Sequence, residues 1–172
     1  MTTATPQTAA RQGPPVPCGA LVAAVAAVVA TCRVQLELEL EIDPAPGDPR
    51  RAELLCGSSI AIESATQGWQ LAVMCNRAAG EGLTRSLLAM EEDEGPAAED
   101  LADALGEIVR VAAGGVKADG AAAGGELGFG RPSFLDADGC GEFFTGGVNG
   151  LAQTLRGPGN FEAHVVLVDR RG

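Results

Sequence analysis

The spacing of apolar and polar residues changes along the chain, and each spacing predicts a different element. Residues 34–42 (VQLELELEI) alternate strictly between apolar and polar, which predicts a strand with one buried face and one wet face. Residues 52–65 and 69–76 read as two further strands that pair as an antiparallel hairpin, with Gly57 as a bulge or bend. Before all of these, residues 19–32 are almost wholly apolar and predict a buried helix.

The middle of the chain shifts to helical spacing. Residues 77–90 place Leu83, Leu87 and Met90 on one side of a predicted helix. A second helix is predicted from Ala97, with a buried stripe formed by Leu101, Leu105, Ile108, Ala112 and Val116. The opposite stripe is charged, with acids early and bases late, which complements the helix dipole. Its members are Asp100, Asp103, Glu107, Arg110 and Lys117.

The last third of the chain returns to strand-like patterns. Residues 126–129, 151–156 and 161–169 predict strands, and the GPGN turn at residues 157–160 joins the last two as a hairpin. The order is therefore one helix, three strands, two helices and then strands. This order predicts an α+β fold of two layers, with helices packed on a mostly antiparallel sheet.

Composition adds the domain boundaries. The 172 residues suit one domain, and aromatic residues are only 3% of them, so the core must consist of Leu, Val, Ile and Ala. Residues 1–17 are rich in Thr, Pro and Gln, which predicts a disordered leader. Residues 18–172 are then the folded domain.

The apolar stretch 19–32 allows a second interpretation. It is too short to span a bilayer, but it could be the apolar region of a secretory signal, followed by a cleavage box at VATC. Thr31 fits poorly before such a cysteine, and only one positive charge precedes the stretch. A buried first helix is the other alternative.

Charge and cysteine content exclude several classes of function. The net charge is −11 and no basic patch is visible, which argues against nucleic acid and against anionic membrane surfaces. The five cysteines include no CxxC pair and no cluster with His, so we expect reduced thiols, mostly buried, and neither a disulfide framework nor a metal site.

Ordinary catalytic motifs are also missing. The single histidine, His164, lies in a predicted strand and is expected to face solvent beside Glu162, with no identifiable nucleophile. The glycine-rich segment 120–130 lacks the spacing and the lysine of a phosphate-binding loop. Acids at the first, third and seventh positions of residues 136–142 hint at calcium, but the twelve-residue EF-hand pattern is not met, and a turn is expected.

One segment resembles a known family. Residues 101–120 (LADALGEIVRVAAGGVKADG), followed by LGFGRP, resemble the CheX family of chemotaxis phosphatases, with CheC as a more distant relative. The family helix reads roughly D-A-x-x-E-I-x-N-x-x-x-G-N-x-K, and Asp103, Glu107, Gly114 and Lys117 match it. The resemblance covers residues 54–132 in detail and also fits the order of elements on both sides. It implies that residues 19–32 are the first helix of the fold.

The resemblance implies a function as well. Family members dephosphorylate a CheY-type response regulator, through a Glu that pairs with the regulator's lysine and an Asn that orients the attacking water. It implies a receiver-binding face of Asp103, Glu107, Arg110 and Gly114, with Glu107 and Arg110 at the catalytic positions. Magnesium would belong to the receiver, so no cofactor of the chain's own is expected. A cytoplasmic protein, and a homodimer formed through the sheet, follow from the same resemblance.

The sequence departs from the family at the residue that does the chemistry. Arg110 stands where the family has Asn, and Gly115 replaces a second Asn. Arginine has five donors and no acceptor, so it cannot hold a water by accepting its proton. The sequence therefore predicts a receiver-docking domain with weak or lost phosphatase activity. An active phosphatase and a purely structural domain, in which Glu107 and Arg110 are a plain surface ion pair, are the alternatives.

Overall fold

A computed structural model describes residues 16–45, 48–54, 56–65, 67–91, 93–119, 126–144 and 150–170. Apart from Val16 and Pro17, the predicted leader lies outside these residues. The elements follow in the order α1 (Cys18–Gln35), β1 (Glu41–Ile42), a short 3-10 helix (Pro49–Arg51), β2 (Cys56–Glu63), β3 (Gly68–Cys75), α2 (Arg77–Leu88), α3 (Ala98–Asp119), β4 (Gly128–Phe129), β5 (Ser133–Asp136), α4 (Ala137–Glu142), β6 (Gly150–Arg156) and β7 (Glu162–Asp169).

The strands form one antiparallel sheet in the order β1-β6-β7-β3-β2-β4, with β5 also paired to β2. The predicted hairpins are both present: β2 pairs β3 from Cys56 opposite Cys75 to Glu63 opposite Gly68, and β6 pairs β7 across the GPGN turn. The helices α1, α2 and α3 pack on one face of this sheet. The predicted α+β arrangement is confirmed.

The main core lies between the sheet and the helices. It is mostly aliphatic as the composition predicts, and among the described residues its buried aromatic side chains are Trp69 at 1% and Phe161 at 7% exposure. A second, small cluster covers part of the far face of the sheet, where Cys140 of α4 packs on Ala72 and Met74 of β3. Among the described residues, the far face therefore carries this small cluster, and the helical face carries the main core.

The apolar stretch 19–32 forms α1. One side of this helix is buried against the rest of the core, through Ala20, Leu21, Ala24, Val25, Val28 and Cys32. By length and composition alone, α1 would also pass as a membrane span or a signal sequence, and 33% of it is buried. Its packing in the structure is that of a first core helix, as the family resemblance implies.

The strand predicted for residues 34–42 is wrong over most of its length. The helix α1 runs to Gln35, and only Glu41 and Ile42 pair with a neighbouring strand, opposite Arg156 and Leu155. The alternation matches burial at its centre, where the leucines at 36, 38 and 40 point inward and the glutamates between them are exposed, but the apolar residues at its two ends, Val34 and Ile42, are exposed as well. The alternation therefore describes the exposure of the central residues and not the pairing of a strand. Glu37, with φ of 52°, breaks the extended backbone geometry.

Two smaller expectations also fail. Gly57 is not a bulge: it lies in regular register opposite Met74, and a Cβ there would stand 2.8 Å from the carbonyl oxygen of Val73. Residues 136–142 are not a simple turn, since Asp136 ends β5 and caps α4. Its carboxylate accepts a 2.8 Å hydrogen bond from the Gly139 N–H, which explains the acid without calcium.

Candidate functional site

The candidate residues all lie on α3, a helix of 22 residues. Its start is fixed by acids in the first turn, and the Asp100 carboxylate accepts a 2.8 Å hydrogen bond from the Ala97 N–H. Its buried side consists of Ala104, Leu105, Gly106, Ile108, Val109, Ala112, Ala113 and Val116. This stripe packs against the sheet and α1, so the rotation of the helix is fixed and the opposite face must point outward.

The four predicted receiver-binding residues share that outward face. Asp103, Glu107, Arg110 and Gly114 are all exposed, at intervals of four, three and four residues. These intervals place them along one line on the helix surface. The structure therefore brings together the residues that the family resemblance selected, on a rigid support. We call this line the α3 face.

At its centre, Glu107 and Arg110 form an ion pair. A guanidinium Nη1–H of Arg110 donates to the Glu107 Oε2 at 3.3 Å, and the two side chains are 58% and 56% exposed. An exposed pair of this kind stabilises a helix by at most about 0.5 kcal/mol. The contact uses one of the five N–H donors of arginine. The pair thus presents a carboxylate that can accept from an ammonium and, beside it, donors that can meet an anion.

The surroundings are open surface. Cavities of about 250, 290 and 540 Å³ occur in the described part of the structure, and α3 lines none of these three. Within the same residues, no three His, Cys, Asp or Glu side chains gather as a metal site would need. An exposed, charged helix face suits recognition of a macromolecular surface better than capture of a small molecule.

Gly114, the last residue of the α3 face, and its neighbour Gly115 lie in different environments. Gly114 is exposed, and a Cβ there would meet nothing within 4 Å. Gly115 lies against α1, where a Cβ would stand 2.5 Å from the carbonyl oxygen of Ala23 and 2.7 Å from the Cβ of Ala27. Gly115, which stands where the resemblance places a second Asn, is therefore part of the contact between α3 and α1.

His164 differs from expectation, because it is buried rather than facing solvent. It is 1% exposed, its Nδ1 lies 3.1 Å from the Thr154 hydroxyl and its Nε2 lies 3.1 Å from the Glu162 carboxylate. Arg156 donates to Glu162 at 2.6 Å and to Asp43 at 2.8 Å, which extends the network to the surface.

The electrostatics of this network are those of a structural polar cluster. Burial lowers the pKa of His164, and the charge of Glu162 only partly opposes this. Burial alone would raise the pKa of Glu162, but His164 and Arg156 together lower it. Thr154 is 1% exposed, so a substrate cannot reach its hydroxyl. This cluster was not predicted, although the β6–β7 register that the GPGN turn predicts pairs Thr154 with His164.

Comparison with known proteins finds similar structures but no similar sequences. No family model and no curated protein matches the chain. Among solved structures, CheX from Vibrio vulnificus superposes with a TM-score of 0.68 at 15% identity, covering 87% of this chain and 95% of that one. A CheC-like superfamily protein from Shewanella sp. PV-4 gives 0.67 at 14% identity, with coverages of 88% and 97%.

A third similar structure holds a partner. It is a complex of CheX with CheY, BeF3 and Mg from Borrelia burgdorferi, with a TM-score of 0.68, 14% identity and coverages of 88% and 97%. At these identities the similarity concerns the path of the backbone. The chain therefore has the fold of the CheX and CheC-like chemotaxis proteins.

Proposed function

We propose that this chain is a chemotaxis or two-component signalling domain that docks a phosphorylated CheY-type receiver through the α3 face. The observation that carries the proposal is the exposure of Asp103, Glu107, Arg110 and Gly114 along one line of α3. The support from comparison is that a CheX of this fold has been solved in complex with CheY.

The chemistry of the α3 face matches the chemistry of such a partner. In the proposed complex, the Glu107 carboxylate accepts from the lysine ammonium of the receiver site. The Arg110 guanidinium meets the phosphoryl group or the acidic residues around it, because it offers several N–H donors and a full positive charge. Magnesium arrives with the receiver, so this chain supplies no metal ligand.

The same residues argue for weak or lost phosphatase activity. Hydrolysis of an acyl phosphate needs a water held in line with the phosphorus, and a carboxamide can hold it because it both donates and accepts. Arg110 lacks an acceptor, so it cannot take that role. The alternative is an active phosphatase, in which the charge of Arg110 stabilises the phosphoryl oxygens as an arginine finger does. A phosphate-release assay distinguishes the two.

Location and assembly belong to the same proposal. A partner of this kind places the chain in the cytoplasm, away from the membrane, with α1 serving as a core helix. A homodimer formed through the sheet is compatible with the short edge strand β1, where Ile42 is 51% exposed. Light scattering at several concentrations would measure that oligomeric state independently of receiver binding.

Docking can be tested by titrating the chain into labelled receiver domains from the same genome, each activated with beryllium fluoride and Mg²⁺. We expect saturable binding to at least one receiver and a loss of tenfold or more in affinity for Glu107→Ala. The matched control is Glu39→Ala, since Glu39 also forms an exposed pair, with Arg33 at 3.1 Å. Absence of binding to every receiver, or equal affinity for both variants, would refute the proposal.

A further inference from the structure

Two cysteines face each other across the central hairpin. Cys56 and Cys75 are direct register partners at the open end of the β2–β3 pair, and their Sγ atoms lie 3.6 Å apart. They are 7% and 0% exposed. Both are free thiols in the structure, and neither belongs to the α3 face.

The backbone already suits a covalent bond between them. Directly opposite residues in an antiparallel pair have Cα atoms about 4.5–5.5 Å apart, within the range of roughly 4.4–6.8 Å that disulfides span. A bond needs the two sulfur atoms at about 2.0 Å, which small side-chain rotations can achieve from 3.6 Å.

Helix α2 covers the thiol pair and leaves room for it. A Cβ at Gly80 would stand 2.7 Å from the Sγ of Cys56 and 3.4 Å from that of Cys75. Only a glycine fits at this point of the helix, so the sulfur atoms lie directly under the first turns of α2. The pair is thus sheltered from large molecules, and Cys56, at 7%, is the more exposed of the two residues.

The two thiols are chemically unequal. The hydrogen bond from Cys75 lowers the pKa of Cys56, against the opposing effects of burial and of the Glu81 charge. The same contact, together with full burial, raises the pKa of Cys75. By contrast, burial raises the pKa of Cys32 to about 11 and that of Cys140 to about 12. Cys56 is therefore the better nucleophile of the buried thiols, with a second thiol in reach.

We propose that Cys56 and Cys75 form a peroxide-reactive dithiol that closes to a reversible intramolecular disulfide. The Cys56 thiolate attacks one oxygen of hydrogen peroxide, the O–O bond breaks, and the leaving hydroxide takes up the thiol proton as water. Cys75 then attacks the sulfenic sulfur of Cys56, the S–O bond breaks, and a second water leaves with the Cys75 proton. One peroxide is reduced and two thiols are oxidised.

The test treats the reduced full-length chain, carrying Cys18→Ser, with hydrogen peroxide. The exposed Cys18 is removed because it would form links between molecules. We expect loss of two alkylatable thiols, a Cys56–Cys75 linked peptide in the digest, and recovery of both thiols with a reductant. We also expect the melting temperature to rise by about 5 °C or more on oxidation, since the bond closes a loop in the unfolded chain.

The same peptide mapping is done on the chain with all five cysteines present. It needs no substitution at Cys56 or Cys75, so a folding defect caused by such a substitution cannot affect the result. Oxidation of Cys18 in that chain shows that the peroxide was active. If Cys18 is oxidised while Cys56 and Cys75 remain free thiols, the proposal is overturned. It is also overturned if Cys56 forms disulfides only with another molecule and never with Cys75 of its own chain. Receiver binding plays no part in either readout, so this result stands apart from the proposed docking.

Discussion

Gly115 of α3 lies against the main chain of Ala23 in α1, so closely that a Cβ on residue 115 would stand 2.5 Å from the Ala23 carbonyl oxygen. The next residue toward the N-terminus, Gly114, faces open solvent. One step along the helix therefore separates a packing position from a surface position. This boundary limits the candidate site to residues on the outward side of α3.

Alanine at residue 115 is expected to destabilise the fold. The clash is with backbone, which cannot rotate away, and overpacking of this kind costs about 1–3 kcal/mol. Gly114→Ala is the matched control, because it gains helix propensity of about 1 kcal/mol in open space. Chemical denaturation should show a lower free energy of unfolding for Gly115→Ala and a higher one for Gly114→Ala. Equal stability of both variants would mean that α1 and α3 do not pack as described.

Removing the exposed ion pair should leave stability nearly unchanged. For the double variant Glu107→Ala, Arg110→Ala we expect a change of at most about 0.5 kcal/mol in the free energy of unfolding, since both groups are more than half exposed. Receiver affinity measured on the same samples should fall sharply. A large loss of stability would instead assign the pair a structural role.

Restoring the carboxamide tests the role of residue 110. Arg110→Asn supplies a side chain that both donates and accepts, so it should accelerate loss of phosphate from a docked receiver by tenfold or more over the unsubstituted chain. The assay follows phosphate release from a phosphorylated receiver. Arg33→Asn, on an exposed site near the end of α1, is the control. An unchanged rate for Arg110→Asn would show that the site lacks more than this one residue.

Acidification from pH 7 to pH 5.5 is expected to lower stability through His164. Burial holds its folded-state pKa below the ordinary value of 6.5, so the unfolded chain takes up a proton first as the pH falls. The slope can reach about 1.4 kcal/mol per pH unit, the limit for one proton. Glu162 and Asp43, whose pKa values are also lowered, add their losses only at lower pH.

The chain has one histidine, so His164→Gln should give a nearly flat profile between pH 5.5 and 7. Denaturant midpoints at fixed ionic strength measure both proteins. A slope that survives the substitution would place the titrating group elsewhere.

Much of the fold was predictable from the sequence because the long periodic segments report burial directly. The α3 stripe, of which only Leu101 is half-buried rather than buried, and the two hairpins are correct for this reason. The strand at residues 34–42 failed because the alternation records only which central leucines face inward, whereas pairing depends on a neighbouring strand that the segment meets only at Glu41 and Ile42.

The candidate site, too, was predictable from the sequence only in part. Amphipathic spacing alone predicts that Glu107 and Arg110 face outward, but nothing local distinguishes them from an ordinary surface pair. The tight contact at Gly115 and the extension of the His164 network to β1 depend on neighbours distant in sequence, Ala23 and Asp43 respectively. Such contacts follow from packing, which a single sequence does not display.

Docking by the α3 face and its effect on the phosphoryl group can be measured in one titration. The chain is titrated into a fluorescent, phosphorylated receiver, and affinity and phosphate lifetime are read from the same samples. We expect saturable binding that Glu107→Ala weakens by at least tenfold, with a phosphate lifetime in the bound receiver close to that of the free receiver. Binding with rapid phosphate loss would show an active phosphatase, and no binding to any receiver of the same genome would contradict docking by the α3 face.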